Sequence, residues 1–197
     1  MDKKLILMDL ETTGLVIKPG AILEVGMAIV DCSTLEIVES MRQVVKDPDL
    51  TALSPWAKET HTKSGLLTEI KDAAWALPLA DIETLTLNLI NRHFSPDERP
   101  ILSGSSIHFD RKWLVEYMPR LDERLHYRMI DISGLWEWAW FFHNVKRPKA
   151  EVAHRSHQDI VGSLQLLKQF NSSFSLRLES AEDFSQLAKF KASVNGN

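Results

Sequence analysis

From Leu5 to Met8 the chain is an unbroken apolar run, the pattern of a strand covered on both faces. Gly14 turns the chain, and Ala21–Val30 and Ile37–Val45 read as two further strands, with Cys32-Ser33-Thr34 as the hairpin between them. Asp47-Pro48 closes this section, and Ser54-Pro55 has the form of a cap and first position of a short helix. Leu79, Ile82, Leu85, Leu89 and Ile90 recur at helical spacing. Pro96 and Pro100 then interrupt the chain before a short fourth strand at Ile101-Leu102. Asp110 is expected to begin a helix with Trp113, Leu114 and Tyr117 on one face and Pro119 closing it. Met129–Asp131 reads as a fifth strand, Ser133 as the cap of a helix over Gly134–Phe142, Val145–Val152 as a basic loop, and 159–170 as a last core helix. Strands first, then strands alternating with helices, predict an α/β domain with a five-stranded mixed sheet flanked by helices.

Residues 172–197 change texture. Phe184, Leu187 and Phe190 recur at helical spacing among polar residues, so the expected organisation is one domain over 1–171 and an extension over 172–197 with a short amphipathic helix and a frayed end.

A chain of 197 residues with 44% hydrophobic content suffices for one domain with a full core. The single cysteine, Cys32, excludes a disulfide framework and a thiolate zinc site. The first residues contain too short an apolar stretch for a signal peptide, because Asp9 cuts it off, and no run is long enough for a membrane span. A cytoplasmic location with no membrane contact is expected.

Five residues carry the candidate chemistry: Asp9 and Glu11 at the end of the first strand, Asp110 after the fourth, and His154 with Asp159 before the last helix. Side chains two apart on a strand share a face, so Asp9 and Glu11 would repel each other unless a cation sits between them. Mg²⁺ and Mn²⁺ take such hard oxygen ligands, and a neighbouring histidine can activate water. Together these features point to phosphodiester hydrolysis with two divalent metal ions, Mg²⁺ or Mn²⁺. Blander readings stand beside each residue. Asp110 has the makings of a helix N-cap. His157 competes with His154 for the histidine role. His154 and Asp159 are five apart, about 140° on a helix, so a loop histidine followed by a helical aspartate fits better than one helix. The net charge of −4 equals the charge of the four acids alone. The rest of the chain is therefore near neutral, which favours a short nucleic-acid substrate over a long duplex.

The order D-x-E, D, H-x-x-x-x-D resembles the DEDDh 3′→5′ exonucleases. LILMDLETTGL, HTKSGL, GSSIHFDRKWLVEYMP, LHYRMIDIS and HRSHQDI resemble the oligoribonuclease family more closely still, over about Leu5 to Phe170. That resemblance implies an RNase H-like fold, degradation of very short RNA (dinucleotides above all) to nucleoside 5′-monophosphates, and a homodimer with a shared active site. It implies metal binding by Asp9, Glu11, Asp110 and Asp159, with His154 as general base. It further implies that Leu15 wedges against the bases, Trp56 and His61 flank the 3′ end, Ser106 and Arg128 cap the 5′ phosphate, and Tyr127 stacks from the other protomer. Trp56 as a core residue, Leu15 as a simple apolar contact and Tyr127 as a plain interface residue are the bland counterparts.

The chain departs from the family pattern at Thr12, Ser105, His108, Phe109 and Ser156, and at the three-tryptophan stretch Trp136–Phe142. These departures bear on substrate length more than on the reaction. Two rivals remain at this level: an exonuclease trimming or proofreading longer single-stranded DNA or RNA ends, supported by the basic loop at Lys146–Lys149, and an inactive nucleotide-binding protein.

Overall fold

The structure, a computed structural model, describes residues 3–149 and 153–174. Strands β1 (Lys4–Thr12), β2 (Ile22–Asp31), β3 (Ile37–Val44), β4 (Leu102–Gly104) and β5 (Met129–Asp131) form one sheet in the order β3-β2-β1-β4-β5. β1 pairs antiparallel with β2 and parallel with β4, so the sheet changes character at β1. The helices are α1 (Pro55–Lys63), α2 (Leu66–Asp72), α3 (Leu79–His93), α4 (Ile107–Tyr117), α5 (Pro119–Arg124), α6 (Ile132–His143) and α7 (Ser156–Ser173). The expected five-stranded mixed sheet flanked by helices is the one observed.

Alternation along β1 divides the core. Ile6, Met8 and Leu10 join Val25, Met27 and Ile29 in a cluster covered by α3, α4 and α5. Leu5 and Leu7 join Ala28 and Val30 under α6 and α7. Residues two apart share a face, so Asp9 and Glu11 continue the Leu5–Leu7 row toward α7. Opposite Glu11 on β2 lies Glu24. α7 approaches β2 so closely at Gly26 that a Cβ there would come within 2.7 Å of Ser156 Oγ. Glycine at that position is what lets the helix descend onto the sheet beside the acids.

Several boundaries differ from the sequence expectations, each for a local reason. α4 starts at Ile107 because Ser106 takes a left-handed conformation (φ 54°), which puts Asp110 in the first turn instead of at the cap. α6 is capped by Asp131, not Ser133: the Asp131 carboxylate accepts from the Ser133 and Gly134 amides, and the helix begins directly after β5. Pro119 closes α4 but also opens α5 at its first turn, where proline's missing N–H costs nothing. α7 begins at Ser156 and runs to Ser173, so one helix crosses the expected 171/172 boundary. α2 has no counterpart among the expected elements; Gly65 (φ 78°) starts it after α1. The expected tail helix and the end of the basic loop lie outside the described residues.

Candidate active site

β1, α4 and α7 each deliver acids to one cleft of about 300 Å³. Its lining includes Asp9, Glu11, Asp110, His154 and Asp159. Glu11, His154 and Asp159 each place a ligating atom within 4.8 Å of the other two. Asp110 is fixed by a 2.9 Å hydrogen bond that its Oδ1 accepts from the Leu10 amide, which ties α4 to the end of β1. Asp159 Oδ1 accepts from the Ala153 amide at 2.9 Å and so holds the loop preceding α7. Of the two candidate histidines the fold brings His154 into the cleft, while His157 is exposed on α7 outside it.

The acids press on one another. Burial, followed by repulsion from Asp110, Glu11, Asp159 and Glu24, holds the Asp9 carboxyl well above the ordinary carboxylate range. Burial and then the Asp159, Glu24 and Asp110 charges push Glu11 up to about 8. Burial raises Asp110 to about 7 against the opposing hydrogen bond from Leu10. Among the described residues, no lysine or arginine forms an ion pair with any of the four acids. Four crowded oxygen donors without a protein cation have the composition a divalent metal centre requires. The residues present fit such ions.

Around the acids stand groups suited to a nucleotide. Leu15 is 78% exposed and Trp56 59% exposed at the cleft, so neither is a core residue. The Trp56 and His154 rings meet edge to face at 5.4 Å. His61 is buried; its Nε2 lies 2.9 Å from the Thr12 carbonyl, and its Nδ1 has no hydrogen-bond partner and sits 3.8 Å from Glu11 Oε2. Burial lowers the His61 pKa below the usual histidine range. Ser106 lines the cleft, and its hydroxyl donates to Ser133 Oγ at 3.3 Å. Tyr127 and Arg128 do not line it: they lie together, the guanidinium 5.1 Å from the ring centroid, with Tyr127 71% exposed. A single chain therefore gathers nine of the eleven residues singled out in the sequence and leaves these two outside.

Three residues escaped the sequence reading. Arg147, from the basic loop, lines the cleft and donates to Ser133 Oγ at 3.2 Å. It is the one lysine or arginine among the described lining residues. Glu24 is fully buried opposite Glu11, and Arg155 next to His154 reaches it. A glutamate inside the apolar run ILEVGMAIV was the available signal for Glu24. The departures from the family pattern find partners here too: Thr12 Oγ1 donates to the Gly14 carbonyl, Ser105 Oγ is 2.9 Å from Ser163 Oγ, and His108 Nδ1 is 3.0 Å from Asp131 Oδ2.

The family model described as Exonuclease (RNase_T) matches residues 6–167. The oligoribonuclease of Corynebacterium glutamicum (strain R) is 36% identical over 178 residues, covering 88% of this chain and 80% of the relative. The mitochondrial oligoribonuclease of Homo sapiens is 35% identical over 173 residues, covering 85% of this chain and 72% of the relative. Among solved structures, the nuclease domain of 3'hExo, a DEDDh family member bound to rAMP, matches with a TM-score of 0.60 at 13% identity. That match covers 88% of this chain and 94% of the other. E. coli Exonuclease I in complex with a 5cy-dT13 oligonucleotide matches with a TM-score of 0.68 at 12% identity, covering 89% of this chain and 42% of the other. At these identities the structural matches establish the RNase H-like fold.

Proposed function

The chain belongs to the Exonuclease family and, within it, to the oligoribonucleases, and on that premise we propose that its cleft hydrolyses short oligoribonucleotides from the 3′ end with two divalent metal ions. The reaction is 3′→5′ exoribonucleolytic. Its products are nucleoside 5′-monophosphates, and Mg²⁺ or Mn²⁺ is the ion. The observation that carries the reading is the convergence of Asp9, Glu11, Asp110 and Asp159 on one cleft, with none of them ion-paired to a lysine or arginine among the described residues.

Ions held by these four carboxylates would activate water and neutralise charge developing on the phosphate. The remaining work falls to the chain. His154, beside Glu11 and Asp159, accepts the proton of the attacking water. Trp56 and Leu15 present exposed apolar surface to the bases, and stacking on an aromatic ring contributes about 1–3 kcal/mol per base with little regard to base identity. His61, neutral because it is buried, faces the terminal nucleotide without adding charge. Ser106 and Arg147, both lining the cleft, offer a hydroxyl and a guanidinium to the 5′ phosphate. A phosphate anchored there leaves little room for a longer chain, which favours dinucleotides.

Tyr127 and Arg128 are assigned to the partner's cleft in a homodimer. Their support is that they are excluded from the cleft of their own chain and that Tyr127 is exposed. Light scattering tests this, with twice the monomer mass expected and a monomer at assay concentration contradicting it. A cytoplasmic location is part of the same reading. It is supported by a lone, exposed Cys32, which suits a reducing compartment, and cell fractionation tests it. No helix among the described residues is long and apolar enough to cross a membrane.

Hydrolysis of 5′-labelled RNA from dinucleotide to heptanucleotide, with Mn²⁺ and then with EDTA, tests the function. EDTA-sensitive turnover fastest on the dinucleotide is expected. Survival of dinucleotides while longer RNA is degraded would instead place the protein with the trimming exonucleases.

A further inference from the structure

Beside the metal cleft lies a second charged cluster that the hydrolytic chemistry leaves unused: Glu24 on β2, Arg42 on β3, Glu69 on α2 and Arg155 just before α7. Its charges sum to zero. Arg42 donates to Glu24 Oε1 at 2.5 Å and to Glu69 Oε2 at 2.6 Å. Arg155 donates to Glu24 Oε1 from Nε and Nη2 at 3.3 and 3.0 Å, to the Ser64 carbonyl at 3.2 Å, and to Glu69. The second oxygen of Glu24 accepts from the Ser156 amide at 2.7 Å, supplying a partner for a backbone donor that the helix start leaves unpaired.

The residue bracketed by these contacts is His154. Its backbone is left-handed (φ 52°), a conformation that costs roughly 1–2 kcal/mol for a residue other than glycine. On its N-terminal side, Ala153 is tied to Asp159. On its C-terminal side, Glu24 grips both the Arg155 side chain and the Ser156 backbone. The same guanidinium reaches the Ser64 carbonyl at the end of α1, the helix that carries Trp56 and His61. One arginine therefore links the loop bearing the histidine, the sheet under the acids and the helix at the base-binding side. A forked, planar donor is needed to do this at three acceptors at once, and lysine cannot reproduce it.

From this geometry we infer that Arg155, clamped between Glu24 and Glu69, is a positioning residue that holds His154 in its proton-accepting place. The inference rests on His154 being the base. Steady-state hydrolysis of a diribonucleotide with Mn²⁺ is measured for the wild type, R155K, H154A and the R155K/H154A double variant, with thermal melting in parallel. If Arg155 acts through His154, R155K lowers kcat by about 10-fold or more, leaves KM within about twofold, and costs less than about twofold once His154 is gone. E69Q removes one of the two clamping carboxylates without emptying a buried position. It is expected to lower kcat by about threefold and to do so only when His154 is present, which keeps the test open if R155K fails to fold. Equal cost in both backgrounds, or unchanged kcat in R155K, overturns the inference and leaves the function standing. Wild-type kcat in H154A overturns the assignment of the base, and this inference with it.

Discussion

Two groups of acids sit side by side in this molecule and behave in opposite ways. Glu11 and Asp110 are buried and Asp9 is half-buried, none of them ion-paired to a lysine or arginine among the described residues, and their carboxyls are pushed upward, Glu11 to about 8 and Asp110 to about 7. Glu24, equally buried and directly across the strand pair from Glu11, is held below the ordinary range despite the penalty of burial, by hydrogen bonds from Arg155 and Ser156 and by the Arg42 charge. Glu69 is lowered in the same way by Arg42 and Arg155. Burial acts alike on both groups, so the difference lies in the partners. Acids supplied with arginines are complete within the protein. Acids denied them keep an unmet negative charge, which the proposed divalent ions would neutralise.

The largest contrast comes from removing one member of each group. D9N is expected to lower dinucleotide turnover by more than about 100-fold, the upper range for losing an outer partner of a metal site, while leaving the metal-free melting temperature unchanged or higher. E24A, by contrast, strands two half-buried arginines and should cost about 2–4 kcal/mol in denaturant unfolding, somewhat below the loss for a fully buried pair. A D9N protein as destabilised as E24A would erase the distinction. Within the cleft, H154A should lower kcat by about 10²–10⁴-fold, whereas H157A, outside it, should match the wild type in the same assay.

A pH series sharpens the comparison further. A folded-state pKa raised above the unfolded value stabilises the fold below the unfolded pKa, and that stabilisation disappears as pH rises through the folded value. For Glu11 the window runs from 4.5 to about 8. The metal-free protein should therefore lose stability across it, and the rise in melting temperature on adding Mn²⁺ should grow from pH 5 to pH 8. A metal-induced rise that is flat with pH would contradict the cluster's electrostatics. The smallest effect is reserved for Arg147. R147A should raise KM for a 5′-phosphorylated dinucleotide by about threefold to tenfold and leave the unphosphorylated one unchanged.

The same division explains what the sequence disclosed. The three long strands were legible because each carries a continuous apolar run or an alternating row, and the candidate acids because each ends an apolar run or opens a helical one. Asp110 was harder to place: an aspartate near a helix start reads as a cap until Ser106 is known to turn left-handed one turn earlier. His154 and His157 could not be separated in sequence, because the choice depends on a backbone turn at His154 itself. The cluster around Glu24 joins residues 18 to 132 positions apart, and long-range ion pairs leave no periodic trace. α2 was missed because its seven residues are too few to display a helical stripe. Tyr127 and Arg128 were recognisable only through the family motif HYR, and a single chain does not bring them to the cleft.

The measurement that bears most directly on the division between the two groups is a Mn²⁺ titration of the protein at pH 8, followed by electron paramagnetic resonance. Two ions bound per wild-type chain are predicted, with binding lost in D9N and retained in E69Q. A chain that binds no Mn²⁺, or one whose binding follows Glu69 instead of Asp9, would contradict the account.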